Sequence, residues 1–111
     1  MKKTIIINSE FMGEVNDELS RKLMGSFLRK LSIEENKPER IIFYHSGVKL
    51  IANGSPVFDA INLITKAGID ILACRTCVNY YKLTDKIKID YVSDMRTIIS
   101  ILMDSDNVIT I

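Results

Sequence analysis

The 111 residues predict an α/β fold, a parallel sheet with helices on both faces. Short runs of β-branched apolar residues recur along the chain, and stretches of helical period lie between them. The two alternate in the order β-α-β-α-β-(short α)-β-α-β, which requires right-handed crossovers rather than hairpins. An apolar content of 47% is enough for a core, and no linker, repeat or low-complexity stretch divides residues 1–111 into more than one domain.

Thr4-Ile5-Ile6-Ile7 is continuous and β-branched, as expected of a strand covered on both faces. The first helix runs from about Asp17 to Glu34. Its Leu19, Leu23, Met24, Phe27, Leu28 and Leu31 fall on one stripe, and Arg21, Lys22, Arg29 and Lys30 form a solvated surface elsewhere on the cylinder. Asn36-Lys37-Pro38 ends it, because proline cannot continue a helix. Ile41-Ile42-Phe43-Tyr44 is the second strand. Ser55-Pro56 opens the next helix, with Ser as N-cap and Pro at the first helical position. That helix carries Val57, Ile61 and Ile64 on one face and stops at Gly68. Ile69-Asp70-Ile71-Leu72-Ala73 is the third strand, Val78 to Leu83 a short helix, and Ile89-Asp90-Tyr91-Val92 a shorter fourth strand. Met95, Ile98, Ile99 and Leu102 mark the last helix, with Met24 and Met95 both at core spacing. Val108-Ile109-Thr110-Ile111 closes the chain as a strand whose apolar residues suit a covered edge or a subunit boundary equally well. Strand order does not follow from this pattern.

Composition excludes several function classes. Fifteen Lys and Arg against fourteen Asp and Glu leave no basic footprint for nucleic acid. The basic-then-apolar start, Lys2-Lys3-Thr4-Ile5-Ile6-Ile7, has too short an apolar run and no small-residue cleavage site for a signal peptide. No stretch approaches the roughly 20 apolar residues that span a bilayer. Two cysteines make no disulfide framework, so the expected address is cytoplasmic, with both thiols reduced.

In an open α/β sheet the reactive groups gather beyond the carboxyl ends of the strands. The loops expected there begin at Asn8-Ser9, at His45-Ser46-Gly47-Val48-Lys49, at Cys74-Arg75-Thr76-Cys77 and at Ser93-Asp94. A thiol at the strand-to-helix junction meets backbone N–H groups and the positive end of a helix dipole, and Arg75 or Lys49 nearby would add to the pull toward thiolate. The thiolate is the form that attacks a sulfane sulfur or a disulfide. A free cysteine also serves as a small buried hydrophobe, but a CxxC at this junction favours chemistry. His45, the sole histidine, suits a proton relay or a polar strand end; Lys49 suits an anionic sulfur group or plain solvation. No dinucleotide or NTP fingerprint is present, and two Cys with one His cannot complete a four-ligand zinc site, so no cofactor or metal is expected. Ser9 and Ser46 lack the nucleophile-elbow sequence.

The motifs in order are Asp17-Glu18-Leu19 with Lys22-Leu23-Met24, Ile42 to Leu50, Gly54-Ser55-Pro56-Val57, Cys74-Arg75-Thr76-Cys77 with Asn79-Tyr80, and Val92-Ser93-Asp94-Met95. Together they resemble the DsrE/DsrF-like family along nearly the whole chain, most closely the DsrE-like domain of the YedF group, described as sulfurtransferase-like selenium metabolism proteins. The resemblance implies a three-layer α/β/α sandwich around a five-stranded, mostly parallel sheet, commonly in homo-oligomers. It implies a persulfide on the cysteine after the third strand, here Cys74, with Cys77 as the second cysteine typical of the YedF group and Arg75, Thr76, His45, Lys49, Asn8 and Ser9 around them. Gly13-Glu14-Val15-Asn16 lacks a second glycine of that pattern, and His45 stands where the family has Asn. A TusA-like sulfur-carrier domain, usual in YedF proteins, lies outside these residues and is an expected partner. The function so implied is a sulfur or selenium carrier loaded on Cys74, with Cys77 resolving or sheltering the persulfide. The alternatives are a dithiol-disulfide redox protein and a non-catalytic oligomeric binding module. Against the first stands the position of the CxxC, after a third strand and after both prolines, Pro38 and Pro56.

Overall fold

The computed structural model describes residues 2–13 and 17–111. Residues 14–16, where the second glycine of the family pattern is missing, lie outside the described residues. Five strands form one all-parallel sheet, β1 (Lys3–Ile7), β2 (Arg40–Phe43), β3 (Asp70–Cys74), β4 (Val92–Ser93) and β5 (Asn107–Thr110), in the order β4-β3-β2-β1-β5. The helices are α1 (Glu18–Leu31), α2 (Phe58–Lys66), α3 (Arg75–Tyr80) and α4 (Met95–Asp104). The three-layer α/β/α arrangement follows from chirality. Three successive crossovers step the same way across the sheet, so right-handedness puts α1, α2 and α3 on one face. The return from β4 to β5 runs the other way, so α4 lands on the opposite face.

Register then decides which side chains each face receives. Ile5 lies beside Ile41 and Ile41 beside Ile71, while Ile7 pairs with Phe43 and Phe43 with Ala73. These six point at α1 and α2 and join Met24, Leu28, Ala60, Ile61, Ile64 and the α3 residue Val78 in the main core. The alternate residues face α4, where Ile42, Cys74 and Ile98 form a second, smaller cluster.

Several expectations need correction. Of the predicted α1 stripe, Met24 and Leu28 are buried, but Leu19 is 62% and Leu23 44% exposed. The helix turns its Ser20, Met24 and Leu28 line to the sheet, with Gly25 facing Val57, and Leu19 and Leu23 lie on the adjacent line. The helix begins where the Asp17 carboxylate accepts the Ser20 N–H at 2.9 Å and ends at Leu31, short of the expected Glu34. Ser55 does not cap α2 directly. Its hydroxyl donates to the Leu50 carbonyl at 2.6 Å and accepts the Val57 N–H at 3.1 Å, a turn that delays the helix to Phe58. Ile89–Tyr91 is a 3-10 turn, and the fourth strand is the two residues Val92–Ser93. Met95 is exposed on α4 despite its spacing, and β5 is an edge strand exposed along its whole length.

Candidate functional site

Cys74 is the last residue of β3, two places beyond Leu72, so the strand's alternation sends its side chain to the α4 face. There it packs with Ile42 and Ile98 and is 2% exposed. Cys77 lies in the first turn of α3, half-buried, touching both hydrophobic clusters at the end of the sheet. Both thiols are free. The Cys77 sulfur accepts the His45 backbone N–H at 3.0 Å, and Cys74 is close enough to perturb its titration.

That N–H is aimed by an unusual backbone. His45 has φ +53°, a left-handed conformation that residues other than glycine rarely adopt, and it begins a 3-10 helix, His45–Ile51, that the sequence pattern did not show. The neighbouring turn is pinned to β1: the Tyr44 N–H donates to the Ile7 carbonyl at 3.1 Å. Gly47 passes so close to that same carbonyl oxygen that a Cβ there would collide with it.

A cavity of about 290 Å³ opens over Cys77, lined by His45, Thr76, Tyr80 and Tyr81. Cys77, Tyr80 and Tyr81 are spaced i, i+3, i+4, which sets them on one face of the short helix. The sequence reading did not assign the two tyrosines to the site, and this spacing is the signal that could have found them. His45 also lines a neighbouring cavity of about 470 Å³ with Asn8, Ser9, Phe11, Tyr44 and Ser46. His45 thus joins the two. The Lys49 ammonium sits 4.6 Å above the Tyr81 ring and 3.3 Å from the Glu10 carboxylate, so its charge is already paired, and it lines neither cavity. Arg75 is exposed, and its charge helps hold the Asp94 carboxyl below its ordinary range, behind the N-terminal hydrogen bonds to Thr97.

The electrostatics of Cys77 run against the expected thiolate. Burial pushes its thiol up from the ordinary value, the His45 N–H offsets part of that, and the adjacent Cys74 adds to the rise. Helix α3 has six residues, too short a dipole to overcome burial. A larger cavity, about 660 Å³, runs from Arg40, Gly68 and Asp70 at the amino ends of β2 and β3 to Leu72, Ser93 and Ile101, and neither thiol lines it. Among the described residues no three His, Cys, Asp or Glu side chains gather closely enough to hold a metal ion, and no helix is long and apolar enough to cross a membrane.

Three solved structures share this architecture. The ychN protein of E. coli superposes with a TM-score of 0.72 at 17% identity, covering 100% of both chains. MTH1491 of Methanobacterium thermoautotrophicum, a protein of unknown function, gives 0.71 at 17% identity over 99% of this chain and 98% of its own. BT1422 of Bacteroides thetaiotaomicron, a conserved protein of unknown function, gives 0.64 at 19% identity over 99% and 95%. At these identities the likeness establishes the fold alone, an α/β domain built on a five-stranded parallel sheet. No protein-family model matches the chain, and no curated protein does.

Proposed function

We propose that this chain is a cytoplasmic sulfur (or selenium) carrier of the sulfurtransferase-like kind, near the YedF group, that holds a sulfane atom as a persulfide at the Cys74–Cys77 pair. The observation that carries the reading is the pair itself: two free thiols close together at the carboxyl end of β3, one lining an aromatic cavity. Thr76 and His45 share that cavity, and Asn8 and Ser9 flank it through the neighbouring one. A persulfide needs a reachable sulfur, shelter from water and a donor to steady its charge; the cavity, its tyrosines and the His45 N–H answer to each. A relay also needs partners. Met95, Ile99 and Met103 leave an exposed apolar stripe at steps of four along α4, which suits a second copy of the chain, and a TusA-like domain would suit as donor or acceptor.

The test is the intact mass of the reduced protein after exposure to a sulfane-sulfur donor. The reading expects one added sulfur at early times, which a thiol acceptor removes. The closeness of the two thiols also supports a dithiol-disulfide cycle. Loss of two hydrogens with no added sulfur at any time point would move that second reading ahead.

A further inference from the structure

Resting on the carrier reading, we infer that Cys77 is the thiol that receives the sulfane atom and that Cys74, beneath it, is the resolving thiol.

Access decides the order. Displacement at sulfur runs in line, with the attacking thiolate, the attacked sulfur and the departing atom nearly collinear. The nucleophile therefore needs open space straight ahead of it, wide enough for a donor. Cys74 has none, because Ile42 and Ile98 close around it. Cys77 has the 290 Å³ cavity between His45, Thr76, Tyr80 and Tyr81. The His45 N–H, 3.0 Å from the Cys77 sulfur and aimed by a left-handed backbone, steadies negative charge there. Burial lowers the thiolate fraction of Cys77 by raising its pKa. A more basic thiolate is also a stronger nucleophile, so part of that loss returns in intrinsic reactivity. A closed wall of side chains has no such compensation.

The donor class is an alkyl persulfide, R–S–SH. Cys77 gives its proton to solvent, and its thiolate attacks the donor's terminal sulfur. The bond from Cys77 to that sulfur forms, the donor's S–S bond breaks, and R–S⁻ departs with the electron pair. The sulfane atom keeps its oxidation state, and an acceptor thiolate reverses the exchange at the same atom. Where no acceptor arrives, the Cys74 thiolate attacks the Cys77 sulfur and hydrosulfide leaves. The sulfane atom is then reduced to sulfide while the two cysteines are oxidised to a disulfide, which an external dithiol reduces to reset the site.

The experiment exposes reduced wild type, Cys77→Ser, Cys74→Ser and Cys74→Ala to glutathione persulfide and follows intact mass over time. The two Cys74 replacements, checked for folding by circular dichroism, guard against a packing defect in either one. Both Cys74 variants are expected to take up one sulfur and keep it longer than wild type, for want of a resolving thiol. Cys77→Ser is expected to load about tenfold less or worse, although Cys74 remains. Loading of Cys77→Ser near the wild-type level overturns the assignment of roles and leaves the carrier reading standing. Absence of added sulfur on every form, wild type included, overturns the carrier reading and this inference with it.

Discussion

The two faces of the sheet are built to different standards. The face under α1, α2 and α3 is closed: Ile5, Ile7, Ile41, Phe43 and Ala73 meet three helices and the 3-10 segment, and almost every side chain there is buried. The other face has α4 alone, whose Ile98 covers Ile42 and Cys74, while Met95, Ile99, Met103 and Val108 stay exposed. The asymmetry comes from strand order, since one return crossover cannot cover what the three others do. Cys74 hangs on the thinly covered face, and Cys77 sits where the two faces meet at the sheet's end. Reactivity at this pair is therefore set by local cover as much as by local charge.

The contrast can be broken by substitution. Phe43→Ala, which empties the closed core, should cost about 3–5 kcal/mol in denaturant unfolding. Ile98→Ala should cost about 2–4 kcal/mol and raise the native alkylation rate of Cys74, which Phe43→Ala should not. A Cys74 that stays protected in Ile98→Ala would show that α4 is not its lid. Gly47→Ala forces the turn away from the Ile7 carbonyl and should cost about 1–3 kcal/mol; it should also slow Cys77 labelling at neutral pH by displacing the His45 N–H. On the open face, Ile99→Lys with Met103→Lys should change monomer stability by only about 0.5 kcal/mol per site. If α4 is the surface that meets a second copy, the same pair should shift sedimentation toward monomer.

The pH dependence of Cys77 sharpens the comparison further. Its folded pKa is raised above the unfolded value, so the stability linked to its neutral form is complete below the unfolded pKa and fades as pH rises through the folded one. Labelling of Cys77 should keep climbing above the ordinary thiol range, where a small-molecule thiol has levelled off.

Much of the fold was legible because β-branched runs and helical spacing report burial directly. The Thr4–Ile7, Ile41–Tyr44 and Ile69–Ala73 runs lie within one residue of β1, β2 and β3. What stayed hidden depends on neighbours. Leu19 and Leu23 carry the same periodic signal as Met24, and nothing local says which line the sheet will cover. Ser20 is buried although it is polar. Ile89–Val92 has strand composition, but only Val92–Ser93 can pair, beside Ala73 and Cys74 where β3 ends. At the site, the CxxC, His45, Thr76 and the strand-end loops were visible as residues. The left-handed turn at His45 was not, because no glycine marks it. The side of the sheet that takes Cys74 was hidden as well, since an all-apolar strand carries no polar alternation to orient it.

The central claim is that one thiol of the pair is open to solvent and the other is closed beneath α4. It is tested most directly by timed iodoacetamide labelling of the native, reduced protein, with the modified cysteine identified by peptide mass. The account predicts that Cys77 is labelled about tenfold or more faster than Cys74, with the two rates converging in denaturant. Equal rates in the native state, or faster labelling of Cys74, would contradict it.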